Sequence, residues 1–198
     1  MRHNNSNSES PYTCGRSPIR LYCRLLWVLA CLFCLPANAQ ISREYQLKAV
    51  FLFNFAQFTD WPTNAFSDPK SPIIIGIVGP DPFGAALEDT IRGENVGGRP
   101  LTIEHFARPA DIKTCHMLFI SQPQIRYTEE ILKAIKGNPV LTVSDAESPV
   151  TSEIMIRFLV ENNKVRFRIN AQAARAADIT LSSRLLRVAE AAPGGRAP

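Results

Sequence analysis

Residues 73–84 read IIIGIVGPDPFG. The run from Ile73 to Val78 is apolar, mostly β-branched and does not alternate, which is how a strand covered on both faces reads. Gly79-Pro80-Asp81-Pro82 then turns the chain. Asp81 is the expected N-cap and Pro82 the first position of a helix. Phe83, Ala86, Leu87 and Ile91 would form its inner stripe, and Gly93 would end it. A buried strand running straight into a helix is the first half of a β-α-β unit. Everything downstream to Val143 repeats that grammar. Asn95 to Pro100 reads as a glycine-containing loop. Leu101, Ile103 and His105 alternate with Thr102 and Glu104 as a half-exposed strand, and Met117 to Ile120 is a second fully buried run. A helix over Arg126 to Lys136, carrying Ile131, Leu132 and Ile135, leads through Gly137-Asn138-Pro139 into Val140 to Val143. Strands alternating with helices predict an α/β domain: a mainly parallel sheet of about six strands, flanked by helices on both faces.

After Ser144 the pattern changes. Ile154, Ile156, Phe158 and Val160 alternate, Asn162-Asn163 supplies a turn, and Val165, Phe167 and Ile169 alternate again. This predicts a C-terminal antiparallel hairpin. A two-residue turn sets Phe158 against Phe167 and Ile156 against Ile169. The same register places Arg157 opposite Arg168, with Arg166 nearby, an unfavourable like-charge arrangement worth up to about 1 kcal/mol. Either the arginines splay into water at a sheet edge, or an acidic partner neutralises them. Ala171 to Ala177 is a short alanine-rich helix, Asp178 to Leu181 interrupts, and Ser182 or Ser183 caps a last helix with Leu185, Leu186 and Val188.

Upstream, Glu44 to Pro62 reads EYQLKAVFLFNFAQFTDWP. At helical period, Leu47, Phe51, Phe55 and Phe58 make one stripe and Tyr45, Ala49, Leu52, Phe53 and Ala56 a second. Lys48 falls among the polar remainder. More than half of the circumference is apolar, which predicts a helix sandwiched in the interior. Its uncharged run is far shorter than the roughly 20 residues a membrane span needs, and Pro62 stops it near Trp61.

Ahead of that helix, Arg20 and Arg24 precede the apolar run Leu25 to Leu35 and then Pro36-Ala37-Asn38-Ala39. This is the pattern of a secretory signal cleaved after Ala39. Val28-Leu29-Ala30-Cys31 offers a lipoprotein alternative, with an h-region shorter than the usual one of about 7–15 residues. Three segments follow: a leader with its extension (1–39), one domain (40–192) and a loose tail (193–198). Of 22 basic residues four precede Gln40, and of 18 acidic residues one does, so the remaining chain carries a net charge of only +1. No nucleic-acid partner follows from that balance. Cys14, Cys23, Cys31 and Cys34 leave with the signal, so Cys115 has no internal disulfide partner. It is read as a buried thiol, with a bridge between two chains as the alternative.

The sequence lacks a GxSxG elbow, a Walker A loop, an HExxH pair and a CxxC pair. Cys115 and His116 are adjacent, but neighbouring strand residues point to opposite faces and cannot easily share a metal. No catalytic residue and no cofactor are assigned. Ligands of parallel α/β sheets bind at the carboxyl ends of the strands. That rule nominates Gly79, Asp81, Ser121, Ser144 and Asp145 as a weak site for a small polar or anionic ligand, although turns use the same residue types.

EYQLKAVFLFNFAQFTDWP, IIIGIVGPDPFG, CHMLFIS and NKVRFRINAQAARAADITLSSRLLRVA, in that order, resemble the YfiR/HmsC-like family of periplasmic proteins. The aromatic first helix ending in Trp61-Pro62 and the final Ile-x-x-x-Ala-Ala-Arg…Ile-x-x-Ser-Ser-x-Leu-Leu pattern are the most specific parts. The resemblance implies a secreted α/β domain, often dimeric, that acts by binding. It implies repression of an inner-membrane diguanylate cyclase through that enzyme's periplasmic domain, relieved by an outer-membrane lipoprotein that sequesters the repressor. The output would be cyclic-di-GMP and biofilm. Partner contacts are expected at Arg157, Arg166 and Arg168 on the hairpin, then Arg175, Asp178, Ile179 and Arg184. A small-molecule-binding sensor feeding another partner, such as a sensor kinase, is the alternative. Two departures stand out: Cys115 lacks a disulfide partner, and Glu147 to Ser152 replaces a glycine-rich connection.

Overall fold

The computed structural model describes residues 37–146 and 153–190. The leader up to residue 36, the connection 147–152 and the tail from residue 191 lie outside the described residues. The contacts given below belong to the compact unit that begins at Ile41.

Helix α1 (Ala37–Gln57) is followed by the two-residue strand β1 (Thr59–Asp60), then β2 (Ile73–Val78), α2 (Ala85–Ile91), β3 (Asn95–Val96), β4 (Arg99–Phe106) and β5 (Met117–Ile120). A 3-10 segment (Gln122–Tyr127) leads into α3 (Thr128–Ala134), β6 (Leu141–Ser144), the hairpin β7 (Ile156–Glu161) and β8 (Lys164–Ile169), α4 (Ala171–Ala176), β9 (Thr180–Leu181) and α5 (Ser183–Glu190). Seven strands form one sheet in the order β3-β4-β2-β5-β6-β7-β8, and β1 pairs with β9 apart from it. From β4 to β7 the strands are parallel, whereas β3 and β8 are antiparallel edges. The sheet thus has one strand more than the sequence suggests. Gly97 and Gly98, at φ 59° and 79°, turn the expected loop into a tight β3–β4 hairpin, because two consecutive left-handed residues match the twist of the flanking strands.

The side chains of the sheet divide between two buried clusters. Ile75, Ile77, Met117, Phe119, Leu141 and Val143 join Leu52 and Phe55 of α1, Leu87 and Ile91 of α2, Ala174 of α4 and Leu185 of α5. Val78, Leu118 and Ile120 join Ile131 and Ile135, at and just beyond the end of α3. The centre of the first cluster is aromatic: Phe55 lies 5.6 Å from Phe158 and 5.0 Å from Phe167, and Phe51 lies 5.4 Å from Phe167. The hairpin register is the expected one, with Phe158↔Phe167, Ile156↔Ile169 and Arg157↔Arg168, and Asn162 and Asn163 take φ 52° and 59° in its turn.

Three helix boundaries and one helix face differ from the sequence reading. α1 ends at Gln57, not near Trp61: the Thr59 hydroxyl donates to Phe55 O at 2.6 Å, and Thr59 and Asp60 leave the helix to pair with Leu181 and Thr180. α2 starts at Ala85, because Asp81 Oδ1 accepts the Phe83 N–H at 2.7 Å and closes a separate turn first. The helix expected from Arg126 opens instead as the 3-10 segment. On α1 the buried positions are Lys48, Ala49, Leu52, Phe55 and Ala56, while Leu47 and Val50 are each 44% exposed. The helix lies on the sheet by one face and is not sandwiched.

At the amino ends of the strands, His116 is enclosed by aromatic rings, stacked on Phe66 at 4.5 Å with Trp61 edge-on at 6.3 Å. Its Nδ1 receives the Ile74 N–H at 3.0 Å, so Nδ1 carries no proton; Nε2 therefore bears the hydrogen and donates to Ala65 O at 3.1 Å. Burial holds the imidazole below its ordinary pKa, the Ala65 bond opposes this, and Arg99 adds to the lowering. Below about pH 6.5 the unfolded chain takes up a proton that the folded chain refuses. The contribution is therefore complete above that pH and is lost as pH falls, by at most about 1.4 kcal/mol per pH unit. Urea titrations between neutral and mildly acidic pH should show this loss, and His116→Asn should flatten it.

Candidate functional site

The parallel strands in spatial order β4-β2-β5-β6-β7 run second, first, third, fourth, fifth in the chain. Chain direction across the sheet reverses between β2 and β5, and such a reversal opens the usual ligand crevice outside the carboxyl ends. Gly79, Asp81 and Ser121 stand there, and each is closely engaged by its neighbours. Gly79 adopts φ 90°, and a Cβ on it would collide with the Ser121 hydroxyl and with Cγ of Gln124. Ser121 is buried and its hydroxyl donates to Val78 O at 2.8 Å. Asp81 is committed to the Phe83 N–H and to His105 Nε2 at 3.0 Å. One strand further, the Ser144 hydroxyl donates to Ile120 O at 2.9 Å and accepts the Ala146 N–H at 3.2 Å. Four of the five strand-end residues thus hold the strand ends together.

Asp145 differs. Its Oδ2 accepts the Tyr45 hydroxyl at 2.6 Å and the Lys48 ammonium at 2.9 Å. Lys48 also meets Glu44 Oε1 at 2.6 Å. The Lys48 and Asp145 side chains are 4% and 5% exposed and that of Glu44 30%, so the two central charges lie almost outside water. Lys48 Nζ also stands 4.4 Å from the Tyr45 ring centroid and 5.7 Å from that of Phe158, within the range of a cation–π contact. Burial, then the Asp145 hydrogen bond, raises the Tyr45 pKa far above its ordinary value, so the phenol remains a donor. Beside this group lies a hollow of about 250 Å³ lined by Glu44, Lys48, Gln122, Asp145, Phe158, Leu159 and Val160. The sequence reading had found Asp145 and missed Tyr45, Lys48 and Glu44. The partial signal is that Tyr45, Lys48, Leu52 and Phe55 are spaced 3, 4 and 3 along one helical face, which places a lysine in one of the apolar stripes without saying which stripe is buried.

The remaining nominated residues lie elsewhere. Arg157, Leu159 and Glu161 on β7 and Lys164, Arg166 and Arg168 on β8 alternate with the phenylalanines, so they share the sheet face turned away from α1. Glu161 reaches Arg168 at 3.6 Å, and among the described residues of the hairpin the face carries more basic than acidic side chains. Arg166 and Arg168 are partly and well exposed, respectively. Arg175 donates from Nε to Ala171 O at 3.1 Å on the exposed side of α4, Asp178 is exposed at φ 57°, and the Arg184 guanidinium lies 5.8 Å from the Phe58 ring centroid. Ile179 is 1% exposed within the first core cluster. Its side chain is packed into the fold and not presented at the surface, at a place directly before β9 where the chain dips inward.

Cys115 is buried and free. Burial, and after it the Glu104 charge, pushes its thiol up to about 12, so the nucleophilic thiolate is suppressed. Both ring nitrogens of His116 are already engaged. Among the described residues no three His, Cys, Asp or Glu side chains converge as metal ligands, and no described helix is long and apolar enough to cross a membrane. A family model described as YfiR/HmsC-like matches residues 45–190. No curated protein matches the sequence.

Proposed function

Because the chain belongs to the YfiR/HmsC-like family, whose members are regulators and not catalysts, we propose that it is a periplasmic regulatory protein that holds a membrane-bound diguanylate cyclase inactive by docking on the periplasmic domain of that enzyme. Docking selects the inactive conformer, so repression is bounded by differential affinity. Holding a cyclase that is otherwise half active at one part in a hundred takes about a 100-fold preference for the inactive state. An outer-membrane lipoprotein that competes for the same surface would relieve repression, and a homodimer would present two such surfaces.

The observation that carries this reading is the basic hairpin face. Arg157 and Arg168 oppose one another, with Arg166 and Lys164 beside them; Lys164 and Arg168 are exposed, and Arg157 and Arg166 are partly so. Such a face suits an acidic protein surface, because charge complementarity speeds encounter and fixes orientation. The test is to express the full chain with a membrane diguanylate cyclase from the same cell, and to measure cellular cyclic-di-GMP together with affinity for the isolated periplasmic domain. Arg166→Glu/Arg168→Glu is expected to weaken binding at least about tenfold and raise cyclic-di-GMP, with thermal stability unchanged. Wild-type affinity in that variant would remove the hairpin from the interface, whereas cyclic-di-GMP indifferent to the wild-type chain would remove the repressor reading itself.

A further inference from the structure

We propose that the hollow beside Lys48 and Asp145 is a binding site for a small organic cation, a primary amine or guanidinium compound. The argument begins with charge. Two carboxylates, Glu44 and Asp145, share one ammonium, Lys48, at 2.6 and 2.9 Å. Both oxygen contacts to Lys48 use one atom of each carboxylate, and the Tyr45 hydroxyl goes to the same Oδ2 of Asp145. Among the described residues Asp145 Oδ1 accepts no hydrogen bond, although its side chain is only 5% exposed. That oxygen is not sealed from solvent, since among the described residues the buried side-chain oxygen without a partner is Gln124 Oε1; Asp145 Oδ1 is left to whatever occupies the adjoining space. The space in front of it is the hollow. What is missing there is one positive charge and its N–H donors.

The other walls suit the same ligand class. Gln122 offers an amide, and Phe158 adds an apolar wall. Leu159 and Val160 also line the hollow. At about 30 Å³ per water, a volume of about 250 Å³ holds roughly eight water-sized groups, the size of a short diamine or an amino-acid-like amine. An anionic ligand, which the strand-end residues alone suggest, fits poorly: Glu44 and Asp145 would repel it, and the lysine that could receive it is already engaged by both.

The site uses none of the hairpin arginines, so it stands or falls apart from the docking reading. It can be tested on the full processed chain by calorimetric titration and thermal shift with putrescine and agmatine, and with succinate as the anionic control. The expected result is saturable, single-site binding of at least one cation, with a midpoint rise that grows with ligand concentration, and no response to succinate. Glu44→Gln changes a partly exposed side chain and should lower cation affinity at least about tenfold, whereas Gln122→Glu, at an exposed position, should raise it. A response to succinate alone, no saturable binding of either cation by the folded wild type, or identical affinity in both variants would each overturn the assignment.

Discussion

Lys48→Met should destabilise the domain by about 3–5 kcal/mol, the usual cost of stranding one member of a buried ion pair. Methionine keeps the unbranched stem of lysine, so packing changes little and the effect isolates the charge. Two carboxylates would then face one another with only the Tyr45 hydroxyl between Asp145 and an uncompensated interior. The deficit should shrink on acidification, since a protonated carboxyl can be buried without a counter-charge. Combining the change with Asp145→Asn should restore part of the loss at neutral pH, giving a coupling energy in a double-mutant cycle. Urea denaturation of the four proteins measures this. If the single and double variants lose the same stability, the pair is not coupled as the geometry requires.

A loss of about 3–5 kcal/mol is also expected for Phe55→Ala. Phe55 is fully buried and touches Phe51, Phe158 and Phe167, with ring centroids between 5.0 and 6.1 Å. Truncation removes the ring that joins α1 to the hairpin and leaves a cavity that two strands cannot collapse to fill. Val50→Ala, one turn and a half earlier on the exposed side of the same helix, should change stability by less than about 0.5 kcal/mol, as surface substitutions do. The contrast decides which face of α1 meets the sheet. Equal losses at the two positions would restore the sandwiched helix that the apolar circumference suggests.

That circumference shows how far the sequence could be read. Apolar runs such as Ile73 to Val78 and Met117 to Ile120 identified parallel, doubly covered strands, because only burial on both sides tolerates them. The Asn162-Asn163 turn fixed the hairpin register to the residue, because a two-residue loop leaves no freedom of pairing. Where several faces of α1 are apolar, periodicity cannot choose between them, and the choice was made by Tyr45 and Lys48 finding Asp145 about a hundred residues away. Pairings of that kind carry no local signature. The strand-end rule led to Gly79, Ser121 and Ser144, but it does not say whether the polar groups there are spent on each other, as these are. The burial of Ile179 was hidden for a related reason: its neighbours Asp178 and Thr180 are polar, and its place in the core shows only in the fold.

The ribbon of Thr59-Asp60 with Leu181-Thr180 joins the chain just after its first helix to the chain just before its last. Ser182 extends the join, its N–H reaching Phe58 O at 2.9 Å. A polypeptide emerging in order from a ribosome or a translocation pore would carry α1 long before it carried β9. Until residue 181 arrives, the amino-terminal helix lacks its final clasp, and the Phe55 cluster lacks the hairpin that completes it. Half-emerged chains of this protein should thus have little native structure to resist being threaded through a narrow channel, and folding should be a late event with the slow, distance-dominated kinetics of long loop closure. A stop codon placed before β9 should yield a chain that proteases clear, and not a smaller folded domain.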